Sequence, residues 1–268
     1  MANLGLDAVA GNVAVGGVID VGALANDHGS GDAVASALAD IQAGEDSISI
    51  GALFAKASAD NAGGGVAKAL TLAGLDPSSI HIHGNAEVTA NARNLSGPGN
   101  GSVAASANAQ LTFNNAATVI VDGNLAVLAH ATNSGSNGVK AKGGVGFGPA
   151  GNIDLGGARI DVAVLNKGSN GGGSGAHATA EFVQNNGLVH LVIGSGGLNV
   201  QAHASSQGTV GAFANARAII HQNAVSPSAA MWRSAPSPSA APMPRAALMP
   251  LRCSICWPAP ATLRSTAT

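Results

Sequence analysis

The sequence predicts an all-β fold: a parallel β-solenoid with irregular Gly/Ser/Asn loops, in which the chain coils and each strand stacks on its copy one turn later. Three observations predict it. Short segments alternate between small apolar and polar residues, the period of a half-buried strand. These segments recur along the chain at a loose but persistent interval. Most of the apolar positions are Ala, Gly or Val. A narrow interior of that kind suits a coiled chain better than a sheet packed on helices.

The clearest strand is AASANAQLTF, where Ala105, Ala107, Ala109, Leu111 and Phe113 share one face and Ser106, Asn108, Gln110 and Thr112 the other. The pattern returns as Ala141, Gly143, Val145, Phe147, then as Ala176, Ala178, Ala180, Phe182. A fourth copy, Ala214, Ala216, Ala218, Ile220, ends on Ile, and Phe213 falls out of phase. Stacked turns would bring Phe113, Phe147 and Phe182 into an interior ladder. Before these strands come ISIGALFAKA from Ile48, IHIHGNAEVTANA from Ile80, VIVDGNLAVLAHA from Val119, IDLGGARIDVAV from Ile153 and LVIGSGGLNVQAHA from Leu191. A degenerate copy, VIDVGALA, starts at Val18. Each has a short β-branched strand, a Gly-centred turn suited to positive φ, and a second alternating strand such as Leu125, Val127, Ala129, Ala131. Ala126, Leu128 and His130 point the other way. Loops rich in Gly, Ser and Asn absorb the variation in period. Six or so turns would give a rod about 30 Å long at the strand spacing of ~4.8 Å.

Two alternatives attach to this reading. GDAVASALADIQAG and NAGGGVAKALTLAG also suit short helices by propensity. An outer-membrane barrel alternates too, but it needs aromatic girdles, and residues 1–224 hold no Tyr or Trp.

Composition narrows the function. Residues 1–224 carry 8 Lys+Arg against 14 Asp+Glu, which argues against nucleic acid as a partner because phosphate neutralisation needs clustered cations. No stretch reaches the ~18 apolar residues of a membrane helix. MANLGLDAVAGNVAVGG lacks the charged start of a signal peptide.

Residues 225–268 have a different chemistry. All three internal Met, both Trp, both Cys and eight of the eleven Pro lie here, and no Gly, Lys or acid does. Written in GC-rich codons and read two nucleotides later, this tail can yield GNVAVG, which also stands at residues 11–16. The expectation is a disordered tail translated out of frame, against the alternative of a genuine Pro-rich linker. Met1 opens inside the repeat pattern, so the chain reads as an internal piece of a longer one.

Candidate chemistry is sparse. Cys253 and Cys256 form C-x-x-C without the βαβ setting of a redox pair or the second pair of a zinc site. His81 and His83 share a strand face and would need a third ligand to hold a metal; the plainer reading is solvent-facing residues alternating with Ile80 and Ile82. His130, His177 and His203 lie on outward positions, where stacking would make a surface ladder. GGGSG at 171–175 and GSGG at 194–197 lack the Lys-Ser/Thr ending of a phosphate loop. The triplets at Asn94 and Asn100 are weak glycosylation matches. Asp122, Asp154 and Asp161 are too few for a polysaccharide-cleaving groove, and no Ser-His-Asp motif context is present. No catalytic, cofactor-binding or metal residue is assigned, and no cofactor is expected.

The repeats VIVDGNLAVLAHAT and IDLGGARIDVAVLN resemble the β-strand repeats of filamentous haemagglutinin-like adhesins, including the leukotoxin-family filamentous adhesins. The resemblance covers roughly residues 10–224. It implies a right-handed parallel β-helix, export by a two-partner or autotransporter route, and a place on the surface of a Gram-negative bacterium. The implied role is non-enzymatic adhesion or biofilm formation. Partners would be host or neighbouring-cell surface glycans and proteins, or other copies through strand edges. The secretion domain and membrane anchor of such adhesins are not among these residues. The alternatives are a β-helical enzyme acting on polysaccharide, or a truncated product without a function of its own. The domains expected are 1–224, the solenoid, and 225–268, the tail.

Overall fold

The structure is a computed structural model and describes residues 1–8, 11–44, 46–95, 103–135, 137–168, 175–188, 190–207, 211–222 and 232–233. The first turn holds β1 (Ala2–Asp7) and β2 (Val13–Asp27), the second β3 (Ala33–Gln42) and β4 (Ser47–Asn61). The third holds β5 (Ala67–Asp76), β6 (Ser79–Ile82) and β7 (Ala86–Asn94), and the fourth β8 (Val103–Phe113) and β9 (Thr118–Asn133). The fifth holds β10 (Gly138–Phe147) and β11 (Asn152–Asn166), and the sixth β12 (Ala176–Leu188), β13 (His190–Ile193) and β14 (Leu198–Ser206). Strands β15 (Ala212–Gln222) and β16 (Trp232–Arg233) follow on the same two sheets.

One sheet runs β1-β3-β5-β8-β10-β12-β15; the other runs β16-β14-β11-β9-β6-β4-β2, with β7 and β13 beside it. Every described strand pair is parallel, as in the hydrogen-bonded neighbours β3 and β5 or β9 and β11. The chain is therefore an all-β parallel β-solenoid of about six turns. The helix alternative at 31–44 and 61–74 gives way to β3 and β5, where alternate Ala side chains are buried. A membrane barrel is antiparallel, and these strands are not.

The register reproduces the repeat alignment. Ile48, Ile80, Val119, Ile153 and Leu191 occupy one column. Val13 pairs with Ile48. The first copy therefore starts at Val13, and the start at Val18 is corrected: Val18 pairs with Ala52, inside the second strand. Ala37, Thr71, Ala109, Gly143, Ala180 and Ala216 share another column. Along this column a turn takes from 34 residues (Ala37 to Thr71) to 38 (Thr71 to Ala109), and on the other sheet from 32 (Ser47 to Ser79) to 40 (Ala158 to Leu198). Stacked strands fix the register while the loops take up the difference.

The interior is a single run of small and branched side chains between the sheets. Phe113, Phe147 and Phe182 are fully buried, with ring centroids 5.0 and 5.3 Å apart. The ladder is real, but its third member is displaced. Phe147 pairs in register with Gln184, and Phe182 with Val145. The Phe147 and Phe182 rings therefore meet diagonally, tilted by 52°. Ile220 pairs with Gln184, so it continues the column of Phe147. Phe213 projects outward and stacks on His177 with centroids 4.9 Å apart, which explains its phase. Interior polarity is handled locally: Thr71 reaches across the core and donates to the carbonyl of Thr89 at 2.7 Å.

Two further ladders close the turns. Asn61, Asn94, Asn133 and Asn166 are buried in one column at the strand ends. The side-chain oxygens of Asn61, Asn133 and Asn166 accept the N–H of Gly63, Gly135 and Gly168, two residues on. Asp27 does the same for Gly29. These Asx turns satisfy the buried amides and aim the chain into the loop. At the opposite corner stand Gly51, Gly84, Gly123, Gly156 and Gly194. A β-carbon on any of them would lie 2.4–2.9 Å from a carbonyl oxygen of the turn before. These glycines are needed for close approach. Among the described residues positive φ is confined to Gly11, Gly44, Gly197 and Asn115, so the left-handed explanation of the corner glycines is corrected.

Of the tail 225–268, only Trp232–Arg233 is described, a short strand paired with Leu198–Asn199 of β14; the expectation of disorder otherwise lies outside the described residues, as do Cys253 and Cys256.

Phe147→Ala is expected to lower the unfolding free energy in urea by about 3–5 kcal/mol through cavity formation. Leu24→Ala, at a side chain 70 % exposed, should change it by less than about 0.5 kcal/mol. Asn133→Ala removes an amide bonded to the Gly135 and Asn137 carbonyls and should cost about 1–3 kcal/mol, with amide exchange accelerated first at residues 133–138.

Candidate functional site

The solenoid brings one compact group of metal-ligating side chains together among the described residues: His81, His83 and Asp122. His81 projects outward from β6, and His83 stands at the corner just after it. Ile82 pairs with Val121, so Asp122 stands at the same corner one turn later. The Gly123 N–H donates to the Gly84 carbonyl at 3.1 Å, locking the two corners in register. Asp122 Oδ2 lies 2.9 Å from His81 Nε2 and 3.6 Å from His83 Nδ1. The two imidazole centroids are 3.9 Å apart. Ser49, one turn earlier, places its hydroxyl 3.1 Å from His83 Nε2. All three ligands are reached from solvent, their side chains being 38–51 % exposed.

The pairing of His81 and His83 was legible from their spacing, but the third group was not assigned. The signal was in the repeat itself. IHIHGN and VIVDGN superpose residue for residue, which sets His83 over Asp122. ISIG superposes on IHIH, which sets Ser49 over His81. Reading each histidine within its own strand hid the neighbour supplied by the next turn.

Ser49, His83 and Asp122 also stand in the order of a nucleophile, a base and its orienting carboxylate. The geometry does not complete that relay. Asp122 is bonded to His81, and 3.6 Å to His83 Nδ1 is beyond hydrogen-bond reach. The nearby N–H groups of His83 and Gly123 donate to the Ile50 and Gly84 carbonyls, leaving neither for an oxyanion.

The other sequence candidates do not converge. His130 and His203 share a column but Ala163 separates them, and His177 lies on the other sheet. Asp161 pairs with Arg159 at 2.6 Å, and Asp154 stands beside Ile120 and Val192. Glu181 sits between Lys142 at 3.7 Å and Arg217 at 2.8 Å, surface ion pairs that contribute little. A shallow depression on the outer face, lined by Leu38, Asp40, Leu72, Gly74, Gln110 and Thr112, holds one carboxylate. Glycine-rich 194–197 forms a tight turn, with Gly197 donating to the Gly194 carbonyl; 171–174 lie outside the described residues.

His177 packs between Lys140 and Phe213. Burial first, and the Lys140 ammonium second, hold its pKa below the ordinary 6.5. The folded state therefore disfavours the imidazolium. Its contribution to stability is complete above pH 6.5 and declines as pH falls through the folded value.

The fold defines a class, the parallel β-solenoids. No protein-family model, no curated protein and no solved structure matches the chain.

Two outcomes are expected here. Nitrophenyl acetate should turn over at the same rate with the native chain and with Ser49→Ala, in a stopped-flow or plate assay; a rate lowered tenfold in the variant would restore the relay. In an NMR titration, His177 should have its midpoint below 6.5, and Lys140→Ala should raise it.

Proposed function

We propose that the chain is a structural and adhesive repeat segment of a large, surface-exposed bacterial protein, and that it is not an enzyme. The observation that carries this reading is the character of the outer faces. Polar residues run as columns along the rod: Ser106 beside Lys140, Asn108 beside Lys142, Asn91 beside His130. Such spread-out polar columns suit many weak contacts with cell-surface glycans or proteins. A polysaccharide-cleaving enzyme needs a groove with converging acids, and the acids of the described surface stand apart or are paired with Arg and Lys.

The first turn presents an open edge. Strands β1 and β2 are the sheet edges. The inward Leu4, Leu6, Val13 and Val15 are only partly buried there, whereas their counterparts two turns on are fully covered. An open edge with a half-covered core is a template for further strands. In the isolated chain the occupant is a second copy.

The expected localisation is the cell surface of a Gram-negative bacterium. Antibody raised to residues 1–224 should label intact cells, and deletion of the coding region should reduce attachment or biofilm. Label found only after lysis, with attachment unchanged, would overturn the reading. Separately, the purified chain should associate with rising concentration in light scattering. Leu4→Lys with Val15→Lys should abolish that association while leaving the β-sheet circular dichroism intact.

A further inference from the structure

We propose that His81, His83 and Asp122 bind one divalent transition-metal ion, of the zinc or copper class, at the corner joining the third and fourth turns. The ligand atoms all lie within 4.8 Å of one another. Tetrahedral zinc with ligand bonds of about 2.0–2.1 Å requires ligand atoms roughly 3.3 Å apart. The distances of 2.9 and 3.6 Å from Asp122 Oδ2 to the two imidazole nitrogens bracket that edge. Two imidazoles and one carboxylate are a borderline donor set, suited to zinc, copper or nickel and poorly suited to calcium or magnesium.

The surroundings favour a ligand over a simple ion pair. Ser49 Oγ lies 3.1 Å from His83 Nε2; in the tautomer whose Nε2–H donates to Ser49, Nδ1 faces Asp122 with its lone pair available to a metal. A partner on the far nitrogen is how metal-bound imidazoles are oriented. The corner column also leaves room. Ile50, Ile82, Val121 and Leu155 are in register, so the residues that follow them are Gly51, His83, Asp122 and Gly156. Two ligands stand between two glycines, so within the corner column neither flanking turn carries a side chain beside them. The remaining coordination positions face solvent and are open to water or to a donor from a partner surface. This inference does not depend on the adhesive reading.

The test uses the full chain without a histidine tag and with Cys253→Ser and Cys256→Ser, which removes the C-x-x-C as a competing zinc ligand pair. Zinc is titrated in by calorimetry, and copper(II) is followed by electron paramagnetic resonance. One equivalent of zinc per chain is expected. His81→Gln, His83→Gln and Asp122→Asn should each weaken it at least tenfold, and Ser49→Ala about tenfold. His130→Gln and His203→Gln should leave it unchanged. All these positions face outward, and circular dichroism checks that each variant keeps its sheet. The copper spectrum should show two coupled nitrogens in the parent and one in His81→Gln. No zinc binding by the parent, or a loss smaller than tenfold in all three ligand variants, would overturn the site.

Discussion

The structure depends on one constraint: parallel strands stacked in register about 4.8 Å apart force each residue to share its environment with its counterpart on the next turn. The backbone ladder supplies that constraint and the side chains must tolerate it. A wide side chain at an inward position needs neighbours that stack or give way. Small residues satisfy this without adjustment, and so Ala dominates the middle of both sheets. Gly143 marks the limit. A β-carbon there would stand 2.7 Å from Val162 Cγ2 on the facing sheet, in a column otherwise made of Ala37, Thr71, Ala109, Ala180 and Ala216.

Polar residues obey the same rule at the ends of the strands. An isolated buried Asn would bring a desolvation cost for its unpaired amide. In the column Asn61, Asn133 and Asn166 cap their own loops through the N–H two residues on, and Asn133 also donates to the Asn166 oxygen at 3.3 Å. The loop geometry is thus set inside the column. Insertions farther along the loop leave the strands in place, and this accommodates turns of different length within one rod.

Most of the fold was legible because period two and the repeat report directly on burial and stacking. The faces of β8, β10 and β12 follow the alternation of Ala with Ser, Asn and Gln, and the Phe ladder follows from their spacing. What escaped was information about register to within two residues. Nothing in AHATAEFVQ alone says that Phe182 sits over Val145 and Gln184 over Phe147, since a shift of two keeps the same face inward. The corner glycines were found, but their cause was not. Local conformation is a property of one turn, whereas the carbonyl that excludes a β-carbon belongs to the turn before. Phe213 was unexplained for a similar reason: its partner, His177, lies one turn away on the outer face.

The same logic locates chemistry on this fold. Residues separated by about one turn in sequence become neighbours, so a site is built by changing members of a column that elsewhere are inert. On the third and fourth turns the corner keeps its glycines, Gly84 and Gly123, and places His83 and Asp122 just before them, in register with Gly51 and Gly156 of the flanking turns. Both side chains must project outward, because the backbone of the adjacent turn fills the space inside. His81 then joins from the neighbouring column on the same face, and Ser49 from the turn before. Such a group costs the core nothing, since no inward position changes. The interior of the rod therefore constrains its stability while its outer columns remain free to vary, and stacking alone brings an imidazole and a carboxylate 41 positions apart in sequence into contact.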